Sequence, residues 1–295
     1  MRNTVTGATG FLGRQLTATL QAEGHELRIL SRRPGDDSVV YAWDPMAGPP
    51  PDGSLEGAGA VIHLAGEPVA QRWTKAARER IRKSRVEGTR NLITALSRME
   101  AKPEVLVSAS ATGFYGSRGD EVLTEDSPAG TGFLPEVCQE WEEAAEAAGV
   151  LGIRVVKLRM GVVLGRGGGA LAKMLPAFRA GVGGPLAGGR QWMSWIHVED
   201  AVRLMAWVAG QGQVRGALNA VSPNPIRNKD FTKALAAVLR RPAILPVPHA
   251  ALELLYGEMS EVLTGSQRVE PRAALAAGFR FRHEDVVESL RSLLY

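Results

Sequence analysis

The chain has 295 residues, 45% hydrophobic and 22% charged, an ordinary globular composition with room for one large domain or a domain with a smaller companion. It has no apolar run long enough to span a membrane and no charged n-region ahead of an apolar stretch, so neither a membrane partner nor a secretory signal is expected. A single cysteine excludes an internal disulfide and fits a reducing cytosol, so the expected location is cytoplasmic. Net charge is only +4, and much of the excess lies in residues 72–90, where eight Arg/Lys face two Glu. This run reads as a solvated helix face, with a phosphate ligand or nucleic acid as the sharper alternatives. Nucleic-acid surfaces interleave aromatics or spread over a wide patch, and this run has only Trp73, so no nucleic-acid partner is expected.

In chain order, residues 1–6 are a strand candidate weakened by Arg2 and Asn3. GATGFLG follows and opens a helix that runs to about Ala22, where Gly24 stops it. HELRILSR (25–32) alternates as a strand. Residues 45–59 are a Pro/Gly loop. AVIHLAG (60–66) is a buried strand and turn, 74–98 a long helix, EVLVSAS (104–110) a strand, 135–148 a helix and IRVVKLR (153–159) a strand. Strands and helices alternating over short connections predict a parallel doubly wound α/β sheet. Three glycine-rich segments come next (165–169, 181–184 and 187–189), expected to form a mobile cover. WMSWIHV (192–198) returns to strand character, and a helix capped by Asp200 follows. Prolines then punctuate short helices, ending in one near 284–294. The expected division is a doubly wound domain over 1–164 plus 192–222, and a smaller α/β lobe over 165–191 plus 223–295.

Gly7, Gly10 and Gly13 sit between the first strand and the first helix. A turn there must be tight, a pyrophosphate must approach the backbone, and the helix N-terminus offers free N–H groups. In this strand–loop–helix context the triplet predicts a dinucleotide site. An NAD site places Asp or Glu at the end of the second strand; this chain has Ser31, Arg32 and Arg33. A guanidinium pairs with a 2′-phosphate that a carboxylate would repel, so the cofactor reads as NADP(H). Arg85 lies on the apolar stripe of the long helix with Ile81, Gly88, Leu92 and Ala95. A charge on a buried face needs a partner, either a cofactor phosphate or ribose, or a structural ion pair.

GATGFLG, HLAG (63–66), RVEGTRNL (85–92), SASAT (108–112) and WIHVEDA (195–201) resemble the extended short-chain dehydrogenase/reductases, the group containing nucleotide-sugar epimerases. Residues 162–201 and 265–281 are similar, more closely, to its atypical branch of epimerase-family proteins, the 39U type. The resemblance implies a Rossmann domain with NADP(H), a C-terminal substrate lobe and a small substrate of sugar-nucleotide-like character. By motif, Gly7, Thr9, Gly10, Phe11, Leu12, Gly13, Ser31, Arg32, Leu64, Ala65, Gly66, Arg85, Ser108 and Val163 would line the cofactor. No metal is expected, and the chain reads as a monomer or homodimer.

That wider family uses a Tyr with a Lys four residues later, which passes a proton as hydride moves. None of the four tyrosines here has such a Lys. Aligning the 135–148 helix by Glu142 puts Leu134 and Cys138 in those places. Ser110, Tyr115 and His197 remain as catalytic candidates, each with a packing role as the alternative, and Cys138 reads as core. Two functions stay open: an NADP(H)-dependent oxidoreductase or epimerase-like enzyme on a small substrate, or a non-catalytic NADPH-binding redox sensor or regulator.

Overall fold

The first strand, β1 (Arg2–Thr6), is buried from Asn3 onward; Arg2 stays at its mouth, paired with Glu26 at 2.9 Å. It opens a computed structural model that describes residues 1–33 and 39–295. α1 (Phe11–Ala22), β2 (Glu26–Ser31), β3 (Val40–Ala42), β4 (Ala60–His63), α2 (Lys75–Arg98) and β5 (Val105–Ala111) follow. Next come a one-turn 3-10 helix (Thr112–Tyr115), β6 (Val122–Leu123), α3 (Phe133–Glu146), β7 (Arg154–Met160), β8 (Val162–Gly165) and α4 (Gly169–Arg179). The remainder is β9 (Trp192–Met193), β10 (Trp195–His197), α5 (Val198–Gly210), β11 (Gly216–Ala220), β12 (Ile226–Arg227), α6 (Asn228–Leu239) and α7 (His249–Tyr256). α8 (Ser260–Thr264), β13 (Arg268–Val269), α9 (Arg272–Ala276) and α10 (Val286–Leu294) complete it. No helix among the described residues is long and apolar enough to cross a membrane.

Seven strands form one sheet in the order β3–β2–β1–β4–β5–β7–β11, each neighbouring pair parallel. Such a sheet is covered on both faces, and β4 (AVIH) is buried at every residue accordingly. On β5, Val105 and Val107 enter a cluster with Leu16, Leu20 and Met205 of α1 and α5, whereas Leu106 faces Leu92, Leu96 and Ala145 of α2 and α3. The chain runs outward from β1 through β2 to β3, then crosses back to β4. This reversal beside β1 is the switch point where open α/β sheets bind ligands.

A third cluster joins α4, α6 and α10 through Leu171, Leu175, Phe178, Phe231, Leu235 and Leu290. Residues 273–281, expected in the small lobe, pack on the sheet core instead: Ala274, Phe279 and Phe281 belong to the α1/α5 cluster. α3 begins at Phe133, so Pro135 sits in the first turn, where its missing N–H has no helical partner to lose. The expected strand 192–198 is broken at Ser194. Its hydroxyl donates to the Gln267 carbonyl at 2.7 Å and accepts from the Val269 amide at 2.9 Å, so Trp192–Met193 pairs with β12 while Trp195–His197 pairs with β8.

The glycine-rich segments pack closely against neighbouring elements at several positions. A Cβ on Gly168 would lie 2.1 Å from the Phe11 ring, and one on Gly184 would lie 1.6 Å from the Leu245 carbonyl oxygen. Trp195, in the strand that follows them, is fully buried.

Candidate functional site

At the carboxyl ends of β1, β2 and β4 lies a cleft of about 830 Å³. Gly7, Thr9, Gly10 and Arg14 form its floor. Ser31, Arg32 and Arg33 stand on the β2 side, with Trp43–Met46 behind them, and Leu64–Pro68 and Ser84 form the opposite wall.

The floor is a backbone cradle. Gly7 has a positive φ of 69°, and a Cβ there would lie 2.8 Å from the carbonyl carbon and oxygen of Leu64. A Cβ on Gly13 would meet the Gly7 carbonyl oxygen at 2.2 Å, so Gly13 serves helix-to-loop packing. Gly10 caps α1 without a side chain, leaving the first-turn amides of Phe11, Leu12 and Gly13 without a cap partner. Open amides at a helix N-terminus suit an anion. The Phe11 side chain turns away, against Gly165, Gly168 and Gly169, so only its main chain is left for the cleft. Leu12 packs between the sheet core and the α4 cluster.

The β4 wall is fixed by a buried chain of three side chains. Thr6 Oγ1 accepts from the amides of Leu64 and Ala65, both at 3.1 Å, so its own proton goes to His63 Nδ1 at 2.7 Å. His63 therefore carries its hydrogen on Nε2 and donates to Thr89 Oγ1 at 3.1 Å. Burial holds its pKa down at about 4, so the ring stays neutral. On the β2 side, the Ser31 hydroxyl closes a turn onto the main chain of Arg33 at 3.2 Å, and Arg32 and Arg33 are exposed at the rim. The stretch that continues them, 34–38, lies outside the described residues.

Most of the cationic run on α2 is engaged in ion pairs. Arg78 meets Glu258, Arg82 meets Glu140, Lys83 meets Glu79 at 2.8 Å and Arg90 meets Glu87 at 2.9 Å. Arg85 instead donates to the carbonyls of Glu67 and Ile81 at 3.0 and 3.1 Å.

The three catalytic candidates do not converge on an open point. Ser110, 3% exposed, donates to Glu142 at 2.6 Å. Glu142 holds Arg159 through two bonds of 2.8 and 2.9 Å, and Arg159 donates to the Tyr115 hydroxyl at 2.9 Å. Tyr115 is fully buried and donates to Asn219 at 2.6 Å; desolvation raises its pKa above the ordinary phenol value. The turn at 112–115 swings this phenol into the core. Glu142 and Arg159 are the partners that sequence reasoning did not supply.

His197 lies elsewhere, capping α5: its Nδ1 accepts from the Glu199 amide at 3.1 Å. Burial and the neighbouring His283 lower its pKa to about 4. Asp200, expected as that cap, is fully buried and takes the amides of Arg282 and His283. His197, Glu199 and His283 bring possible metal-ligand atoms within 4.8 Å of one another. Yet the two rings are stacked at 3.6 Å and 19°, so their lone pairs run side by side, and Arg282 already holds Glu199 at 2.7 Å. A cation fits this arrangement poorly.

Ser108 is buried in β5 in register with His63, and Val163 pairs with Ile196 beside the 165–169 turn. At the end of β5, a Cβ on Gly113 would lie 3.4 Å from Leu134 Cδ1 and 3.7 Å from Cys138 Sγ, so the apolar face of α3 does look there. Burial, with the charge of Glu142, pushes the Cys138 thiol up to about 12, which suits packing rather than nucleophilic attack.

The NAD dependent epimerase/dehydratase family matches residues 4–220, and DUF1731, a domain of unknown function, matches 247–293. The chain belongs to the NAD dependent epimerase/dehydratase family. It is 40% identical to the chloroplastic epimerase family protein SDR39U1 homolog of Arabidopsis thaliana over 100% of this chain and 87% of that protein. It is 37% identical to the epimerase family protein YfhF of Bacillus subtilis over 100% and 98% of the two chains. Its structure is similar to a crystal structure of human epimerase family protein SDR39U1 with NADPH, with a TM-score of 0.90 at 33% identity, covering 99% of both chains.

Proposed function

We propose, with that membership as the premise, that this chain binds NADP(H) along the cleft between β1, β2 and β4. The observation that carries the proposal is the pairing of an open main-chain cradle at Gly7–Gly13 with Ser31, Arg32 and Arg33 at the end of β2. The cradle suits a pyrophosphate and the arginines suit a 2′-phosphate. A human relative crystallised with NADPH supports the same cofactor. In this reading Gly7, Thr9, Gly10, Ser31, Arg32, Leu64, Ala65 and Gly66 contact it, Phe11, Leu12 and Gly13 contribute main chain, and Ser108 and Val163 support the walls. The cytosol is proposed on the single buried, unpaired cysteine.

Bound NADP(H) would supply hydride chemistry. The engaged state of Ser110, Tyr115 and His197 favours the second of the two functional readings, a protein that binds NADPH to sense redox state or regulate a partner. An oxidoreductase or epimerase-like enzyme on a small substrate would need its proton from another source. Titration with NADPH and NADH tests the cofactor. Arg32→Ala should weaken NADPH about tenfold or more, since a charge-assisted bond contributes roughly 1.5–3 kcal/mol, and leave NADH nearly unchanged. Equal affinity of the native protein for both cofactors sinks the NADP(H) reading. Turnover of NADPH in a metabolite screen would restore the enzyme reading.

A further inference from the structure

One stretch of the surface is apolar and bare. Ile244 and Leu245, ahead of α7, are exposed, as are Leu254, Leu255 and Tyr256 at the end of that helix; Ile244 and Leu254 reach 79% and 75%. Of the eight residues of α7 only Leu252 is buried. Residues 181–187 run beside 242–247 and add exposed Val182. The Ala187 amide donates to the Val247 carbonyl at 2.9 Å, and a Cβ on Gly181 would lie 3.5 Å from the Pro242 ring. Elsewhere among the described residues large apolar side chains are exposed singly, as is ordinary. This stretch is not a frayed end. The Arg72 guanidinium donates to the Leu254 carbonyl at 2.8 Å, Gly257 bridges to Trp73, and Arg78 pairs with Glu258, so α7 is pinned to the start of α2. A short helix is marginal in water by itself, and leucines held facing water call for a covering surface.

Area and charge say what covers it. The six side chains present on the order of 600 Å² of apolar surface, the upper end of what a monomeric protein leaves bare and most of the ~800 Å² that each partner gives to a standard interface. Charge along the stretch is polarised. Arg240 and Arg241 precede it, exposed and without an ion pair among the described residues, whereas Glu253, Glu258 and Glu261 outnumber Arg72 and Arg78 at its far end. An anionic lipid surface would attract the first end and repel the second. A second copy turned through a two-fold axis lays leucine on leucine and sets each basic end against the partner's acidic end.

We propose that two copies of this chain pack together through this face, α7 against α7, about a two-fold axis. Sedimentation velocity over a range of concentrations tests it, on the native protein and on the Leu254→Glu/Leu255→Glu double variant. The native protein should sediment as a dimer. The variant should self-associate about a hundredfold or more weakly, since burying one leucine is worth roughly tenfold or more in affinity. Its melting temperature, taken where both proteins are monomers, and its NADPH affinity should match the native values, because both side chains face water in the single chain. Ile244→Glu, outside the helix, should act in the same direction and serves if the double variant fails to fold. A native protein that stays monomeric at high micromolar concentration overturns the assignment. So does a dimer that these variants leave intact, or a native monomer that pellets with phosphatidylserine vesicles.

Discussion

At the ends of β1 and β2 the polar groups are open amides and rim arginines, whereas at the ends of β5 and β7 Ser110, Glu142, Arg159 and Tyr115 are bonded to one another. Both regions lie on the carboxyl edge of the same sheet, where α/β proteins place their sites. The first has donors waiting for an anion. The second is dry and satisfied: Glu142 and Arg159 have side-chain exposures of 8% and 6%. Unbonded donors beside a cleft indicate binding, and a titratable group already saturated by its neighbours indicates architecture. Shared position in the fold therefore does not decide the role of a serine or a tyrosine; the partners do.

If the comparison is sound, breaking the second region should cost stability and spare the cofactor. Glu142→Ala leaves Arg159 buried without its carboxylate and should lose about 3–5 kcal/mol in urea unfolding. NADPH affinity, measured below the transition, should stay at the native value; a parallel loss would merge the two regions into one site. Acid probes the first region. The folded pKa of His63, about 4, is below its ordinary value of 6.5, so the folded chain binds fewer protons than the unfolded chain as pH falls. The stability this group contributes is full above pH 6.5 and lost progressively toward pH 4, to the extent of roughly 3 kcal/mol. His63→Asn should flatten that part of the stability–pH curve, and an unchanged slope would mean that the folded ring takes up its proton as readily as the unfolded one. A smaller effect is expected from Tyr115→Phe, which strands the Asn219 oxygen and should cost about 1–3 kcal/mol. Its NADPH affinity should not move. If instead any turnover falls steeply while stability holds, Tyr115 has a chemical role that its buried hydroxyl conceals.

The alternation of strands and helices and the glycine spacing were legible because they are local: period, turn chemistry and helix start are written within a few residues. The polar side-chain partners were not. Ser110 and Tyr115 are near neighbours in the chain, but the one-turn helix between them sends one to Glu142 and the other to Asn219. His197 stood between a proton donor and a packed residue, and its stacking partner, His283, comes from far along the chain. The wall at Trp43–Met46 runs into the Pro/Gly loop and had no periodicity to mark it. The glycines of 165–169 invited a mobile reading because their neighbour, Phe11, comes from the other half of the chain. Leu134 and Cys138 were legible in their place, since helix spacing alone fixes which face they share.

That contact between Phe11 and the 165–169 turn bears on how the protein folds. The first residue of α1 cannot settle until a turn synthesised much later has closed around its ring. Parallel strands already demand long loop closures before their contacts return any free energy, which slows assembly. The N-terminus of α1 should therefore reach its final shape late, after the sheet. In stopped-flow refolding, far-UV ellipticity should recover first and competence to bind NADPH should lag behind it, with Gly168→Ala lengthening the lag.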